Sequence, residues 1–215
     1  MISGTFEIHI ITDLAHQTEL FGYITNLKDA QMINVRPTCA HAKYGSQPIQ
    51  PMLTYWMKGT DQEVMAHAEL IRTQMVDNKI PVFRVKVEAM ISNEGVPTVA
   101  DIDHYFEYHF KIPITSTDDW NKIVKLVTKF GVHLFYNPYN KTLQPIATLR
   151  RFDSQINLKN TYEQVKAVLE DNGFELHSLE REYSVYDSCV DYDQRWLHGD
   201  SPSSFIVEVS DQMLF

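Results

Sequence analysis

Two Glu-x-His pairs are the features of this sequence whose residue types and spacing best suit chemistry. Glu7 precedes His9 by two positions, and Glu107 precedes His109 in the same way. Residues two apart on a β-strand point to one side of it, with Cα atoms roughly 6.5–7 Å apart. An imidazole titrates near neutral pH and can transfer protons, and a neighbouring carboxylate can orient it. We therefore predict that His9 and His109 are catalytic residues and that Glu7 and Glu107 orient them.

The same two pairs also suit a metal ion. Imidazole nitrogens and carboxylate oxygens bind zinc, iron or manganese, and side chains two apart on a strand can reach one ion. Glu7, His9, Glu107 and His109 are therefore also candidate ligands of a divalent metal ion. A third interpretation is that these residues are solvated on an exposed sheet face. The residue pattern alone leaves these interpretations open.

Basic and hydroxyl side chains are predicted near both pairs. Arg84 and Lys86 alternate with apolar residues along one strand, and Arg150 lies on a strand of the second half. Guanidinium and ammonium groups bind phosphate or carboxylate. Thr54 and Thr148 occupy matching positions on the third strand of each half. We predict that these five residues bind a small anionic molecule, and the basic ones favour acid–base chemistry over a metal site.

The predicted function is that of a hydrolase of the phosphoesterase type, working by acid–base or metal-assisted chemistry. The alternative is a non-catalytic module that uses the same surface to bind a small ligand or a partner protein. The sequence contains no Gly-rich phosphate loop, GxSxG elbow or HExxH motif. It therefore does not identify the substrate.

Capping residues and apolar stripes predict four helices, over residues 18–28, 60–75, 116–130 and 160–172. Thr60 and Glu63 form a capping-box pattern, and Asn160 with Glu163 forms a similar one. Alternation and apolar runs predict strands over residues 6–10, 39–44, 52–57, 81–89, 105–112, 132–136, 143–150 and 174–185. Each half then reads strand, helix, strand, strand, helix, strand, which is the ferredoxin-like pattern.

Two short matches between the halves predict an internal duplication. On the first strand Phe6-Glu7-Ile8-His9 recurs as Phe106-Glu107-Tyr108-His109. On the third strand Gln50-Pro51-Met52-Leu53-Thr54 recurs as Gln144-Pro145-Ile146-Ala147-Thr148. Both matches fall on the same element of their half, as expected of repeats. We predict a first βαββαβ lobe over residues 1–92, a second over residues 101–186 and a C-terminal extension over residues 187–215.

The predicted fold is α+β, a tandem duplicated ferredoxin-like (βαββαβ)2 protein whose antiparallel sheets pack around a central cleft. In each unit both helices cover one face of the sheet. Phe6, Ile8 and Ile10 belong on the helix side of the first strand. The opposite faces meet at the cleft, which is predicted to hold the charged residues of the first and last strands: Glu7, His9, Arg84, Lys86, Glu88, Glu107, His109 and Glu182.

The composition limits the partners and the location of the protein. A net charge of −9, from 28 acidic and 19 basic residues, repels phosphate backbones, so we expect no general nucleic-acid binding. No segment has the roughly 18 consecutive apolar residues of a membrane helix, so we expect no membrane association. Two cysteines make no disulfide framework, and the first residues do not resemble a signal peptide. We expect a cytoplasmic protein.

In architecture the predicted fold is similar to that of the 2H phosphoesterases, in which two related lobes enclose a cleft. Each lobe of those enzymes carries a His-x-Thr/Ser motif. His9-Ile10-Ile11 and His109-Phe110-Lys111 occupy that place here, without the hydroxyl residue. The resemblance is one of architecture, with one histidine from each lobe at the cleft, and does not by itself imply the reaction.

Overall fold

Eight β-strands close into one antiparallel barrel in the computed structural model, and four α-helices pack on the outer face of its strands. The structure describes residues 1–29, 35–42, 47–139 and 144–193. The strands are β1 Ser3–Ile11, β2 Val35–Ala42, β3 Ile49–Thr60, β4 Arg84–Met90, β5 Tyr105–Lys111, β6 Val132–Tyr136, β7 Ile146–Arg151 and β8 His177–Asp187. The helices are α1 Gln17–Asp29, α2 Asp61–Asp77, α3 Thr117–Val127 and α4 Gln155–Asp171. Both halves show the predicted order of elements.

Closure of the barrel depends on how the edges of the two sheets meet. The strand order is β2-β3-β1-β4 in the first half and β6-β7-β5-β8 in the second. The edge strands β2 and β6 pair with each other, as do β4 and β8. The prediction of separate sheets packed around a cleft is therefore wrong. An edge strand carries unpaired N–H and C=O groups, and closure pairs them within the molecule.

Alternation along the strands sends apolar side chains to the helices and polar side chains to the barrel interior. Phe6, Ile8 and Ile10 of β1 are fully buried in the main hydrophobic core, together with Val64 and Ile71 of α2. Burial of one such side chain stabilises the fold by about 1.5–3 kcal/mol. A shift of one residue along β1 would turn all three to the interior, so the alternation determines which face of the strand points inward.

Local side-chain contacts determine where the helices begin. The predicted capping box of α2 is confirmed: Thr60 Oγ1 accepts the Glu63 N–H at 3.3 Å, and the Glu63 carboxylate accepts the Thr60 N–H at 2.8 Å. Helix α4 begins earlier than predicted, because Ser154 is its N-cap and accepts the Asn157 N–H at 3.3 Å. Asn160 therefore lies inside the helix.

Several strand boundaries also differ from the prediction. β2 begins at Val35, ahead of the predicted residue 39, and β8 ends at Asp187, one residue beyond the predicted second lobe. Residues 43, 44 and 143 of the predicted strands, and residues 194–215 of the predicted extension, lie outside the described residues.

The longest helices, α2 and α4, have 17 residues each. Across the described ranges, no helix combines the length and the apolar character needed to cross a bilayer.

Candidate functional site

The inward faces of the strands enclose a cavity of about 480 Å³. It is lined by all nine residues predicted to act in catalysis or binding: Glu7, His9, Thr54, Arg84, Lys86, Glu107, His109, Thr148 and Arg150. β1 and β5 carry the two Glu-x-His pairs and are separated by β4 and β8 in the sheet. Barrel closure is what gives the two pairs a common interior.

Each histidine is held by the threonine opposite it. His9 pairs with Thr54 across β1 and β3, and His9 Nδ1 lies 2.9 Å from Thr54 Oγ1. His109 pairs with Thr148 across β5 and β7, and the same two atoms again lie 2.9 Å apart. Because Nδ1 is engaged in both cases, the rings are fixed with Nε2 toward the barrel centre.

Each Nε2 atom faces two glutamates. His9 Nε2 lies 3.4 Å from Glu88 Oε2 and 3.8 Å from Glu7 Oε1. His109 Nε2 lies 3.2 Å from Glu182 Oε2 and 3.4 Å from the nearer oxygen of Glu107. Register pairs Glu7 with Glu88 and Glu107 with Glu182, so each half contributes a threonine, a histidine and two glutamates in matching positions.

The three cations that the sequence predicts as anion ligands are already paired with carboxylates. Arg84 Nε donates to Asp187 at 2.8 Å, and a second guanidinium nitrogen donates to the other oxygen of this carboxylate. Lys86 Nζ lies 2.7 Å from Glu88 Oε1 and also contacts Glu107. Arg150 Nε donates to Glu107 as well. An anionic ligand would therefore meet neutralised pairs at these positions.

These ion pairs shift the pKa values of Glu107 and Lys86 in opposite directions. Burial acts to raise the pKa of Glu107, but the charges of Arg150 and Lys86 outweigh it and hold that pKa well below its usual range. Burial acts to lower the pKa of Lys86, but Glu107 and Glu88 outweigh it and raise that pKa well above its usual value. Glu107 is the negatively charged centre of this part of the interior, and two cations share it.

The pKa values of Glu7 and His109 both lie above their usual values. Burial raises the pKa of Glu7 well above its usual value, and the nearby carboxylates of Glu182 and Glu88 raise it further. Burial acts to lower the pKa of His109, but hydrogen bonds and charge from Glu107 and Glu182 outweigh it and raise that pKa well above its usual value. The site therefore holds protons among its acidic groups.

One group of side chains in this interior has the composition of a metal site. Ligand-type atoms of Glu88, His109 and Glu182 all lie within 4.8 Å of one another. The group shares only His109 with the four ligands predicted from the sequence. The sequence predicts Glu88 and Glu182 in the same cleft but indicates no role for them, because only the fold shows that they meet a histidine of the second half.

Two buried residues that contact the lining cations were not identified from the sequence. Asp187, assigned there to the extension, ends β8 with its side chain fully buried against Arg84, and it accepts a hydrogen bond from Tyr105 Oη at 2.6 Å. The Arg150 guanidinium carbon lies 4.0 Å from the centre of the Tyr105 ring. Asp187 could have been identified from its position directly after the apolar and aromatic residues of the last strand. That strand extends to Asp187, two residues further than predicted.

Part of the cavity wall is apolar. Ile11 and Met52 belong to a second, smaller hydrophobic cluster, against which Phe135 packs, and all three line the cavity. Arg36 lies over the Trp56 ring, 5.0 Å from its centre, and both residues also line the cavity. The site can therefore contact both an organic body and a charged group of a ligand.

Comparison with known proteins gives only distant matches. No protein-family model matches the chain, and no curated protein matches it. Solved structures that match include the small subunit of acetolactate synthase from Thermotoga maritima, which is 12% identical with a TM-score of 0.29, covering 85% of this chain and 95% of that one. A heme-binding protein from Thermus thermophilus is 10% identical with a TM-score of 0.30, covering 86% of this chain and 92% of that one. TM-scores this low support no inference from these proteins to this chain.

Proposed function

We propose that this protein is a hydrolase of the phosphoesterase type that acts on a small anionic substrate inside the barrel. The observation that carries the proposal is the matched pair of histidines, each lying between a threonine hydroxyl and two glutamates in one cavity. A positioned imidazole can take a proton from an attacking water or give one to a leaving group, which typically accelerates a reaction about 10²–10⁴-fold.

The roles divide between the two halves. His9 and His109 transfer protons, Glu7 and Glu107 orient them from one side, and the threonines fix the ring direction from the other. The cavity of about 480 Å³ lies within the range of about 300–1,000 Å³ typical of sites for small molecules. Both histidines line this cavity.

The anionic group of the substrate is proposed to bind at Arg36 and Lys111, which also line the cavity. Among the described residues no carboxylate forms an ion pair with either of them, whereas Arg84, Lys86 and Arg150 each have a carboxylate partner. In this proposal the three paired cations hold the acidic groups in place and reduce the repulsion that the substrate would meet.

A duplication of one βαββαβ unit accounts for the matching halves. The proposal is supported by the repeated order of elements and by the matching positions of the threonines, histidines and glutamates. The halves differ where Trp56 of β3 corresponds to Arg150 of β7, and where Lys86 of β4 corresponds to Glu180 of β8. Such differences would let one end of an asymmetric substrate be distinguished from the other.

The test is a turnover assay with p-nitrophenyl phosphate, bis-p-nitrophenyl phosphate and p-nitrophenyl acetate, each in EDTA and again with added manganese. We expect hydrolysis of at least one phosphoester, reduced at least about 100-fold by His9→Asn and by His109→Asn. His177→Asn is the matched control, because His177 is exposed at the start of β8. Absence of turnover by the native protein, or equal loss in the control, would overturn the proposal.

The alternative, a non-catalytic binding module, has a different outcome in the same experiment. It predicts that a phosphorylated compound raises the melting temperature of the native protein without being hydrolysed. The His9→Asn, His109→Asn double variant would lose this shift and keep its own melting temperature.

A further inference from the structure

We propose that Glu88, His109 and Glu182 bind one divalent metal ion inside the barrel. One ligand-type atom of each lies within 4.8 Å of the other two, and His109 Nε2 is already 3.2 Å from Glu182 Oε2. Atoms bound to one ion at about 2.0–2.2 Å lie roughly 3–4 Å apart. Small side-chain rotations would therefore bring all three to bonding distance.

The Glu88 and Glu182 carboxylates are contacted by side chains of the site and by no backbone donor of the described residues. Both are fully buried, and no backbone N–H of the described residues donates to their four carboxylate oxygens. Lys86 Nζ lies 2.7 Å from Glu88 Oε1. The histidine Nε2 atoms lie 3.4 Å from Glu88 Oε2 and 3.2 Å from Glu182 Oε2. Buried carboxylates normally have hydrogen-bond partners or coordinate metals, because burial of an uncompensated charge is costly.

The excess of buried carboxylates over buried cations in the interior also favours a bound cation. The described residues place five carboxylate side chains there, those of Glu7, Glu88, Glu107, Glu182 and Asp187. They are accompanied by three buried cations, those of Arg84, Lys86 and Arg150. A divalent ion would offset negative charge at the point where these carboxylates are most crowded.

The surroundings of His109 prepare it as a ligand. His109 Nδ1 lies 2.9 Å from Thr148 Oγ1, and when Nδ1 donates to that hydroxyl, Nε2 carries the lone pair that can bind an ion. Such a partner on the second ring nitrogen is a regular feature of metal-binding histidines. Two carboxylates and one imidazole suit zinc, manganese or ferrous iron.

An ion at this position would also be within reach of the cavity, since Glu88 and His109 both line it. Three protein ligands leave a coordination position for water or a substrate oxygen, as in catalytic rather than structural sites. His9 Nε2 lies 3.4 Å from Glu88 Oε2. With the ion bound, His109 would be a ligand and His9 would be left as the histidine that transfers protons; ion binding itself is tested without any substrate.

The test is calorimetric titration of the full chain with zinc chloride and with manganese chloride, after dialysis against a chelator and without any substrate. We expect one ion per chain with a micromolar or lower dissociation constant for at least one metal. Loss of a residue that hydrogen-bonds to a metal ligand typically weakens metal binding about 10–100-fold. We therefore expect Glu88→Gln and Glu182→Gln, which remove direct ligands, to weaken it at least about 100-fold.

Glu180→Gln is the matched control, because Glu180 lies on the same strand as Glu182, two residues away, and outside the group. It should bind the ion as the native protein does. The circular dichroism melting curve of each variant shows whether it is folded, and an unfolded glutamine variant is replaced by the corresponding aspartate variant. No ion bound by the native protein, or unchanged affinity in the folded Glu88 and Glu182 variants, would overturn the inference.

Discussion

Arg84 and Asp187 form a buried ion pair across the seam between the two halves of the barrel. Arg84 Nε donates to Asp187 Oδ1 at 2.8 Å, and a second nitrogen of the guanidinium donates to Oδ2. Arg84 begins β4 of the first half and Asp187 ends β8 of the second. Tyr105 of β5 donates to the same carboxylate at 2.6 Å. The seam is therefore held by side chains as well as by the β4–β8 backbone ladder.

Removal of this carboxylate should destabilise the protein strongly. Asp187→Asn takes away the charge that pairs with the buried Arg84 guanidinium, and breaking such a pair costs about 3–5 kcal/mol. The free energy of unfolding in urea measures the loss. The control is Asp153→Asn, because Asp153 pairs with Arg151 where both side chains are about 40% exposed, and an exposed pair contributes at most about 1 kcal/mol. Equal losses in the two variants would contradict the assignment of the seam.

The same pair predicts a pH dependence. Burial acts to raise the pKa of Asp187, but the hydrogen bond and charge of Arg84, the charge of Lys86 and the hydrogen bond from Tyr105 outweigh it, and the pKa is lowered. The contribution of Asp187 to stability is therefore complete above its unfolded pKa of about 3.9 and is lost as the pH falls through the lower folded pKa. Between about pH 5 and about pH 3 the native protein should lose more unfolding free energy than Asp187→Asn. Parallel pH curves for the two proteins would show that Asp187 makes no such contribution.

The start of α4 can be tested with a pair of alanine variants. Ser154→Ala removes the side chain that accepts the Asn157 N–H, and loss of an N-cap costs about 1 kcal/mol. Asn160→Ala changes a residue inside the helix, where alanine is favoured by several tenths of a kcal/mol. Urea unfolding should show destabilisation for the first variant only. The reverse result would place the cap at Asn160, as the sequence pattern predicted.

The threonines should affect rate more than stability. Thr54→Val and Thr148→Val keep the shape of the side chain and remove the oxygen that lies 2.9 Å from Nδ1 of His9 and of His109. If the histidines transfer protons, loss of ring orientation should lower kcat about 10-fold or more while KM changes little. Thr54→Ser and Thr148→Ser keep the hydroxyl and should retain most of the rate. Valine and serine variants with the same kcat would exclude this positioning role.

The sequence predicted most of the elements because their signals are local. The Thr60 capping box and the alternation of Phe6, Ile8 and Ile10 require only neighbours along the chain, and both appear in the structure. The start of α4 was missed because Asn160 and Glu163 imitate a capping box inside a helix that Ser154 already begins. The sequence offers two capping patterns for this helix, and only the hydrogen bonds of the folded helix show that Ser154 is the N-cap.

Alternation along β1 and β5 determined from the sequence alone which side chains share a face with Glu7 and Glu107, since a strand has a period of two. It also determined that these faces are polar. The sequence did not determine that β2 would pair with β6 and β4 with β8, which is what turns the two polar faces into one interior. The Arg150–Glu107 pair needs only the β5–β7 pairing of the second half, where the two residues lie opposite each other. The Lys86–Glu107 and Arg84–Asp187 pairs join the first half to the second. They were therefore decided only by barrel closure, because the β4–β8 pairing is what brings these side chains together.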